Sequence, residues 1–194
     1  MSNDPDYVSA VRNDSVSKVR AFLRNGETPN DYVFFLAILY HANAVLRVLI
    51  KAGADLNAVE HPKSGGNTPL GSAVVEKNMQ AFRLLLKAGA LIDKRGFSET
   101  PLEVAAQEGS VAFTKACIAA GAAIDPRNGS TGKTPLMTAA HFGHANIVKL
   151  LLQAGANPRQ RDPYGRTAAK IAADMNQTHI VQLLTKWPAA KKKR

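Results

Sequence analysis

Aromatic residues, cysteines and long apolar runs are all scarce in this chain of 194 residues. Aromatic residues make up only 6% of it while 45% of its residues are hydrophobic, so a core would consist mainly of small aliphatic side chains. With Cys117 as its single cysteine, the chain cannot form an internal disulfide bond. No uncharged apolar run reaches about 18 residues, and this argues against a membrane span.

The amino terminus has none of the features of a secretory signal. Residues 1–6 are polar and acidic, whereas a signal peptide begins with basic residues and continues into an apolar stretch. A lone cysteine also fits a reducing compartment better than an oxidising one. The sequence therefore predicts an intracellular protein, located in the cytoplasm or, if the source is eukaryotic, in the nucleus.

Acidic residues are outnumbered, and the imbalance lies at one end of the chain. Lysine and arginine total 25 against 15 acids, which gives a net charge of +10. Residues 159–194 carry nine of these cations and two acids, so residues 1–158 hold a net charge of only +3. Residues 188–194 are predicted to form a basic, disordered tail. Its four charges, Lys191 to Arg194, fit a nuclear-import signal, a nucleic-acid contact or a solubilising terminus.

What the chain has in abundance is internal repetition. The triplet Thr-Pro-Leu starts at Thr68, Thr100 and Thr134, and a degraded copy starts at Thr167, so the spacings are 32, 34 and 33 residues. A second triplet, Ala-Gly-Ala, keeps the same phase, because its glycine follows the threonine by 21 residues in three successive repeats. Two independent markers in one phase indicate a tandem array of one structural unit.

The residues within one repeat predict a pair of helices. Thr134 is placed to cap a helix, and Pro135 suits the first helical position, where an N–H group is not needed. This helix should end at Gly143. A second apolar helix should follow over residues 146–153 and end at Gly155, which supplies a positive φ. One such pair cannot bury its own apolar faces, so the repeats must stack.

These features resemble the ankyrin-repeat family, which has a period of about 33 residues and the pattern Thr-Pro-Leu-His-x-Ala. The resemblance predicts an all-α solenoid of about six stacked helix-turn-helix units with short β-turn fingers, in a single domain over residues 1–187. The terminal repeats deviate most, as capping repeats do. The histidine of the pattern is replaced in every repeat. The repeats counted from the markers cover residues 5–29, 32–60, 68–93, 100–125, 134–159 and 167–187.

Residues 129–134, Gly-Ser-Thr-Gly-Lys-Thr, end like a phosphate-binding P-loop. The full motif needs a glycine where this chain has Arg127, and a helix whose free N–H groups face the phosphate. Pro135 removes one of those donors, and Thr134 is already the threonine of a repeat. A finger loop is therefore the better interpretation, and no cofactor is predicted.

The other reactive side chains do not combine into a site. His141 and His144 flank Phe142-Gly143, but no Cys, Asp or Glu nearby completes a tetrahedral metal site. Cys117 lies in an apolar second-helix segment and is predicted to be buried. No nucleophile–base set occurs at a suitable spacing. The sequence therefore predicts no metal site and no catalytic residues, and a protein that is not an enzyme.

The resemblance also implies where a partner would bind. Ankyrin-repeat proteins usually meet partners on their concave side, at the finger tips and the exposed face of each first helix. Phe142 and Tyr164 lie outside the apolar stripe, so burial does not explain them. The residues predicted to contact a partner are Tyr40, Glu76, Phe97, Glu99, Gln107, Glu108, Lys133, His141, Phe142, Tyr164, Arg166 and Met175.

Binding itself would then be the output of the chain. The leading hypothesis is a protein-binding module, monomeric when free and not membrane-bound, that acts as a stoichiometric adaptor or inhibitor. The alternative is a nucleic-acid-associated or nuclear-targeted ankyrin protein that uses the basic end. Residues 61–66 lengthen one connection, so that Gly53 and Thr68 are 15 residues apart, against 11, 13 and 12 for the equivalent pairs. This insertion is either a binding element or a flexible spacer.

Overall fold

The computed structural model describes residues 4–60 and 66–187. Within those ranges the chain forms twelve α-helices and no β-strand, which confirms the predicted all-α repeat fold. The helices are α1 (Pro5–Arg12), α2 (Val16–Arg24), α3 (Asp31–Leu39), α4 (Asn43–Lys51), α5 (Pro69–Val75), α6 (Met79–Ala88), α7 (Pro101–Gln107), α8 (Val111–Ala119), α9 (Pro135–His141), α10 (Ala145–Gln153), α11 (Ala168–Asp174) and α12 (Thr178–Lys186).

Each odd-numbered helix packs against the even-numbered helix that follows it, and we call these the first and second helix of a repeat. The chain divides into two compact halves, Met1–Phe97 and Ser98–Arg194. In the amino-terminal half the first helices α1, α3 and α5 stack in order, and so do the second helices α2, α4 and α6. The carboxy-terminal half repeats this arrangement with α7 to α12.

Four first helices begin at the threonines that mark the repeats. The hydroxyl oxygens of Thr68, Thr100, Thr134 and Thr167 each accept a hydrogen bond from the backbone N–H three residues on, at 3.2–3.4 Å. Each hydroxyl thus satisfies one of the N–H groups that a helix start leaves without a partner inside the helix. At Thr100 the side chain of Glu103 also accepts from the Thr100 backbone N–H at 2.7 Å. Glu103 occupies the position of the histidine in the family pattern, and its carboxylate accepts the hydrogen bond that stabilises this turn.

The second repeat departs from the marker phase. The marker threonines lie one residue before their helices, so counting back from Gly53 to Tyr32 predicts a helix start at Val33, whereas α3 begins at Asp31. Asn30 caps this helix by accepting a hydrogen bond from the backbone N–H of Val33 at 3.0 Å. The helix has nine residues, two more than α5, α7, α9 or α11. An asparagine cap therefore replaces the threonine and shifts the start of the helix.

The core consists mainly of small aliphatic side chains, with Tyr7, Phe34 and Phe82 among its largest fully buried members. Ala139 and Ala140 of α9 are fully buried and allow neighbouring first helices to approach closely. In the first repeat, Tyr7, Val11 and Val19 are buried, whereas Val8, Phe22 and Leu23 are half-buried. The ring of Tyr7 stacks on that of Phe22, with 5.0 Å between the ring centroids.

Candidate protein-binding surface

The exposed large hydrophobic side chains are concentrated on one part of each repeat. Of the ten found among the described residues, none lies on a second helix. Each is on a first helix, directly after one, or in a connection between repeats. Tyr164 and Phe97 protrude most, with 80% and 70% of their surface exposed. The other eight are Tyr32, Leu39, Tyr40, Val59, Val75, Leu91, Phe142 and Met175.

The second helices, which carry none of these hydrophobic side chains, are instead rich in positive charge. The six second helices contain ten lysines and arginines and no aspartate or glutamate. The net charge of a stretch of sequence does not show this difference between helices, because acids on the first helices and in the connections offset the cations of the second helices. The cations are Lys18, Arg20, Arg24, Arg47, Lys51, Arg83, Lys87, Lys115, Lys149 and Lys186. The second helices are therefore cationic, whereas the acids and the exposed large hydrophobic side chains lie on the first helices and in the connections.

In the carboxy-terminal half, three aromatic rings meet where α9 ends. The ring of Phe142 lies edge-on to His141 at 4.9 Å and parallel to His144 at 6.1 Å. His144 Nε2 also pairs with the backbone carbonyl oxygen of Gln107, one of the predicted contact residues, at 3.1 Å. Partial burial lowers the pKa of His141, and the charges of Lys133 and Arg166 lower it further. The cluster is thus an aromatic patch on which the charges of Lys133 and Arg166 disfavour protonation of His141.

The finger Asp162–Arg166 holds Tyr164 out into solvent. The buried carboxylate of Asp162 accepts hydrogen bonds from the backbone N–H groups of Tyr164 at 3.0 Å and Arg166 at 2.8 Å. The Arg166 guanidinium donates to the same carboxylate at 2.8–2.9 Å. The guanidinium carbon also lies 5.1 Å from the centre of the Tyr164 ring, within the range of a cation–π contact. Both candidate residues are therefore positioned by Asp162, a residue the sequence reasoning did not select.

The finger Asn128–Lys133 is built against its neighbour and is not a phosphate site. The guanidinium of Arg127 donates to the carbonyl oxygen of Arg161 at 2.9 Å, and the Cα of Gly132 packs so closely on Pro163 that a Cβ there would overlap the ring. The Asn128 side chain accepts from the backbone N–H groups of Ser130 and Thr131. The backbone N–H groups of Gly129, Gly132, Lys133 and Thr134 also donate within the protein. No backbone N–H of residues 129–134 is therefore left to face a phosphate.

The other candidates of this half occupy equivalent or adjoining places. Glu108 and Met175 are the exposed residues directly after α7 and α11, as Phe142 is after α9. Glu99 precedes α7, and its carboxylate accepts a hydrogen bond from the Asn128 side chain at 3.3 Å. Lys133 lies in the finger before α9 and is half-exposed.

Three candidates lie in the amino-terminal half. Tyr40 directly follows α3, and the guanidinium carbon of Arg12 lies 4.8 Å from the centre of its ring. Glu76 directly follows α5, and its backbone carbonyl oxygen pairs with His41 Nε2 at 3.0 Å. Phe97 is held by a hydrogen bond from its backbone N–H to the carbonyl oxygen of Gly66 at 2.6 Å. Gly66 is the last residue of the predicted insertion, and residues 61–65 lie outside the described ranges.

The remaining reactive residues form no further site in the parts of the chain that the structure describes. No group of three or more His, Cys, Asp or Glu side chains there could hold a metal ion. Cys117 is fully buried, as the sequence predicted. It occupies the position of Leu85 and Leu151 in other repeats, and not that of Leu86, which is half-buried. None of the described helices is both long and apolar enough to cross a bilayer.

Comparison with known proteins agrees with this architecture. The sequence model of the ankyrin-repeat family matches residues 8–96 and 102–194, so the chain belongs to that family. Ankyrin repeats are in general a protein-interaction fold, whose stacked units present extended binding surfaces.

Three relatives illustrate the range of proteins that carry similar repeats. The ankyrin repeat protein YahD of Escherichia coli (strain K12) is 28% identical over 92% of this chain and 94% of its own length. An ankyrin repeat-containing protein of Treponema pallidum (strain Nichols) is 35% identical over 58% of this chain and 38% of its own length. NF-kappa-B inhibitor alpha of Gallus gallus is 32% identical over 80% of this chain, which spans 52% of that protein.

Proposed function

We propose that this chain is a protein-binding module that acts stoichiometrically, as an adaptor or an inhibitor, through the fingers and the carboxy-terminal ends of its first helices. The observation that carries the proposal is the location of the ten exposed large hydrophobic side chains, all on first helices, directly after them or in connections. Clusters of large exposed hydrophobic side chains on a protein surface commonly mark a binding site.

The aromatic patch at Phe142 and Tyr164 is the proposed centre of the contact. Aromatic side chains and arginine are the residues that contribute most to protein interfaces. Here Arg166 and Asp162 fix Tyr164, and the two histidine rings fix Phe142, so little conformational freedom is lost when a partner binds. One of the relatives is named as an inhibitor, which supports a role exerted by binding alone.

The test is capture of a partner from native cell extract, with identification by mass spectrometry and measurement of the affinity for the purified partner. Phe142→Ala combined with Tyr164→Ala should weaken binding by at least thirtyfold, the factor that corresponds to about 2 kcal/mol, which one central interface residue of this kind contributes. Gln153→Ala is the control, since Gln153 is exposed on α10, a second helix that carries none of the ten hydrophobic side chains. If every captured partner binds the double variant as tightly as the parent chain, the proposal is wrong.

Two of the predictions made from the sequence are not addressed by these observations. The nucleic-acid or nuclear-targeting alternative depends on the basic tail at 188–194, which lies outside the described residues. It stays a prediction, as does the cytoplasmic or nuclear location.

A further inference from the structure

A groove runs between the first helices α3 and α5 of the amino-terminal half. Its volume is about 570 Å³, and it opens to solvent between α3, α5 and the connection that precedes α5. Most of its lining is apolar, from the side chains of Tyr32, Phe35, Leu36, Leu39, Val59 and Val75. None of these six residues belongs to the contact set predicted from the sequence.

The apolar part of this groove is unusually exposed. Tyr32, Leu39, Val59 and Val75 each leave between 38% and 50% of their surface in contact with solvent. They are four of the ten exposed large hydrophobic side chains in the described residues, and they line one depression. A contiguous apolar area of this kind marks an interaction site more often than an isolated exposed side chain does.

Among the described residues, the polar part of the groove carries charge of one sign. Its described lining includes the carboxylates of Asp31, Glu60 and Glu76 and no lysine, arginine or histidine. Glu60 accepts a hydrogen bond from the hydroxyl group of Ser72 at 3.2 Å. Its desolvation, and secondarily the nearby charge of Glu76, raise the pKa of Glu60 above that of a free glutamate. Among the described residues, neither Glu60 nor Glu76 takes part in an ion pair.

The position of Glu76 is unfavourable for the stability of its own helix. It directly follows α5, and a negative charge at the carboxy-terminal end of a helix is repelled by the helix dipole. Together with the partly desolvated Glu60, it makes an anionic edge that no ion pair among the described residues neutralises. A cation placed in the groove would offset the cost of desolvation and reduce the repulsion at the same time.

We infer that this groove binds a segment of a partner protein in which an apolar side chain lies next to a lysine or arginine. The apolar side chain would cover the area between Tyr32 and Val75, and the cation would pair with Glu60 and Glu76. A phosphate backbone or an anionic lipid surface would instead be repelled by the three carboxylates. The inference rests on the proposed protein-binding function and adds the chemistry of the partner.

The first experiment measures fluorescence anisotropy of the full chain with three labelled peptides. In the first peptide lysine alternates with leucine and phenylalanine. In the second, glutamate replaces lysine, and in the third, serine replaces the apolar residues. The first should bind at least about tenfold more tightly than either of the others, since a partly desolvated charge pair contributes at least that factor. Long-range attraction cannot produce this order, because the net charge of +10 favours the acidic peptide.

The second experiment changes the carboxylates one at a time. Glu60→Gln keeps the size of the side chain and its hydrogen bond and removes its charge. It should weaken binding of the cationic peptide about tenfold. Glu76→Lys should abolish the preference for that peptide while stabilising the end of α5, because a cation there suits the helix dipole. Loss of binding from a more stable protein could not be attributed to unfolding. Asp6→Asn is the control, since it removes an exposed acid outside the groove and should leave the affinity unchanged.

Three outcomes would overturn the inference. The acidic or the serine peptide could bind as well as the cationic apolar one, or Asp6→Asn could weaken binding as much as Glu60→Gln. Sedimentation could also detect a dimer of the chain that dissociates in Glu76→Lys, which would make a second copy the occupant. If the peptide experiments fail but the Phe142→Ala and Tyr164→Ala changes weaken partner binding, only the inference about the groove is wrong. A negative result for those two aromatic residues contradicts the proposed function whether or not the peptide binds.

Discussion

Asp162 is the single charged residue on which the shape of a finger depends most. Its carboxylate is buried, yet it receives two backbone N–H groups and the guanidinium of Arg166. Burial by itself would raise the pKa of Asp162, but the hydrogen bonds from Arg166 and Tyr164 and the charge of Arg166 outweigh it, so the pKa is lowered. The order Asp-Pro-x-Gly around this residue is typical of a turn and could have indicated its role from the sequence.

We therefore predict that Asp162→Asn destabilises the protein by about 1.5–3 kcal/mol, the range for a hydrogen bond to a charged group. Urea unfolding followed by circular dichroism measures this change. The matched control is Asp174→Asn, because Asp174 forms the same kind of pair with Lys170 four residues away, at 2.9 Å but exposed to solvent. That change should cost less than about 0.5 kcal/mol. Equal losses from the two variants would show that burial of Asp162 does not matter.

The same interaction predicts a pH dependence with a definite sign. Because the folded state lowers the pKa of Asp162 below its ordinary value of about 3.9, the stabilising contribution is complete above that value. It is lost as the pH falls through the lower pKa of the folded state, where the carboxylate becomes protonated. The difference in unfolding free energy between the parent chain and Asp162→Asn should be constant from pH 7 to about pH 5 and shrink below about pH 4. A difference that grows on acidification would contradict the assignment.

At the scale of the helices, the sequence predicted most starts and missed one. The threonines at 68, 100, 134 and 167 identify helix starts because a hydroxyl oxygen in that position accepts the same hydrogen bond in each repeat. The marker phase fails at α3, since Asn30 makes an equivalent bond without belonging to the repeated triplet. Position within a period cannot reveal a cap of a different residue type. The burial of Tyr7 was not predicted either, because this residue belongs to neither of the repeated triplets.

Asn30 gives a direct test of that explanation. Asn30→Ala should destabilise the amino-terminal half by about 1 kcal/mol, because the N–H of Val33 loses its acceptor. Asn30→Asp should keep the stability within a few tenths of a kcal/mol, since its carboxylate offers the same acceptor next to the positive end of the helix dipole. Thermal unfolding of the three proteins at neutral pH measures the effect. If the Asn30→Ala protein is as stable as the Asn30→Asp protein, the hydrogen bond from the Val33 N–H does not stabilise the start of α3.

At the scale of the whole molecule, the candidate site was only partly predictable. The sequence identified Phe142 and Tyr164, because neither residue fits the apolar stripe of a helix and burial could not explain them. It did not identify the groove, whose lining comes from two helices and a connection more than 40 residues apart at its extremes, Asp31 and Glu76. The sequence also indicated that the positive charge lies at one end of the chain. The difference in charge between first and second helices becomes visible only when each helix is identified as the first or second of its repeat.

This difference in charge has a consequence for the stability of the molecule. In the amino-terminal half, Arg20, Arg47, Lys51 and Lys87 surround a groove on the second helices without an acid between them. Their mutual repulsion acts over a Debye length of about 30 Å at 10 mM salt and about 8 Å at 150 mM. Added salt should therefore stabilise the folded chain.

We predict that raising NaCl from about 10 to 150 mM increases the unfolding free energy by roughly 0.5–1 kcal/mol, as expected when several like-charge pairs of a few tenths of a kcal/mol each are screened. Urea is the appropriate denaturant, because guanidinium chloride itself screens charge. Arg47→Gln with Lys51→Gln should remove much of this dependence and raise the stability at low salt. Lys170→Gln should instead lower the stability at low salt, since Lys170 forms an ion pair with Asp174 that the change removes. If both variants respond to salt as the parent chain does, repulsion between the cationic second helices does not limit its stability.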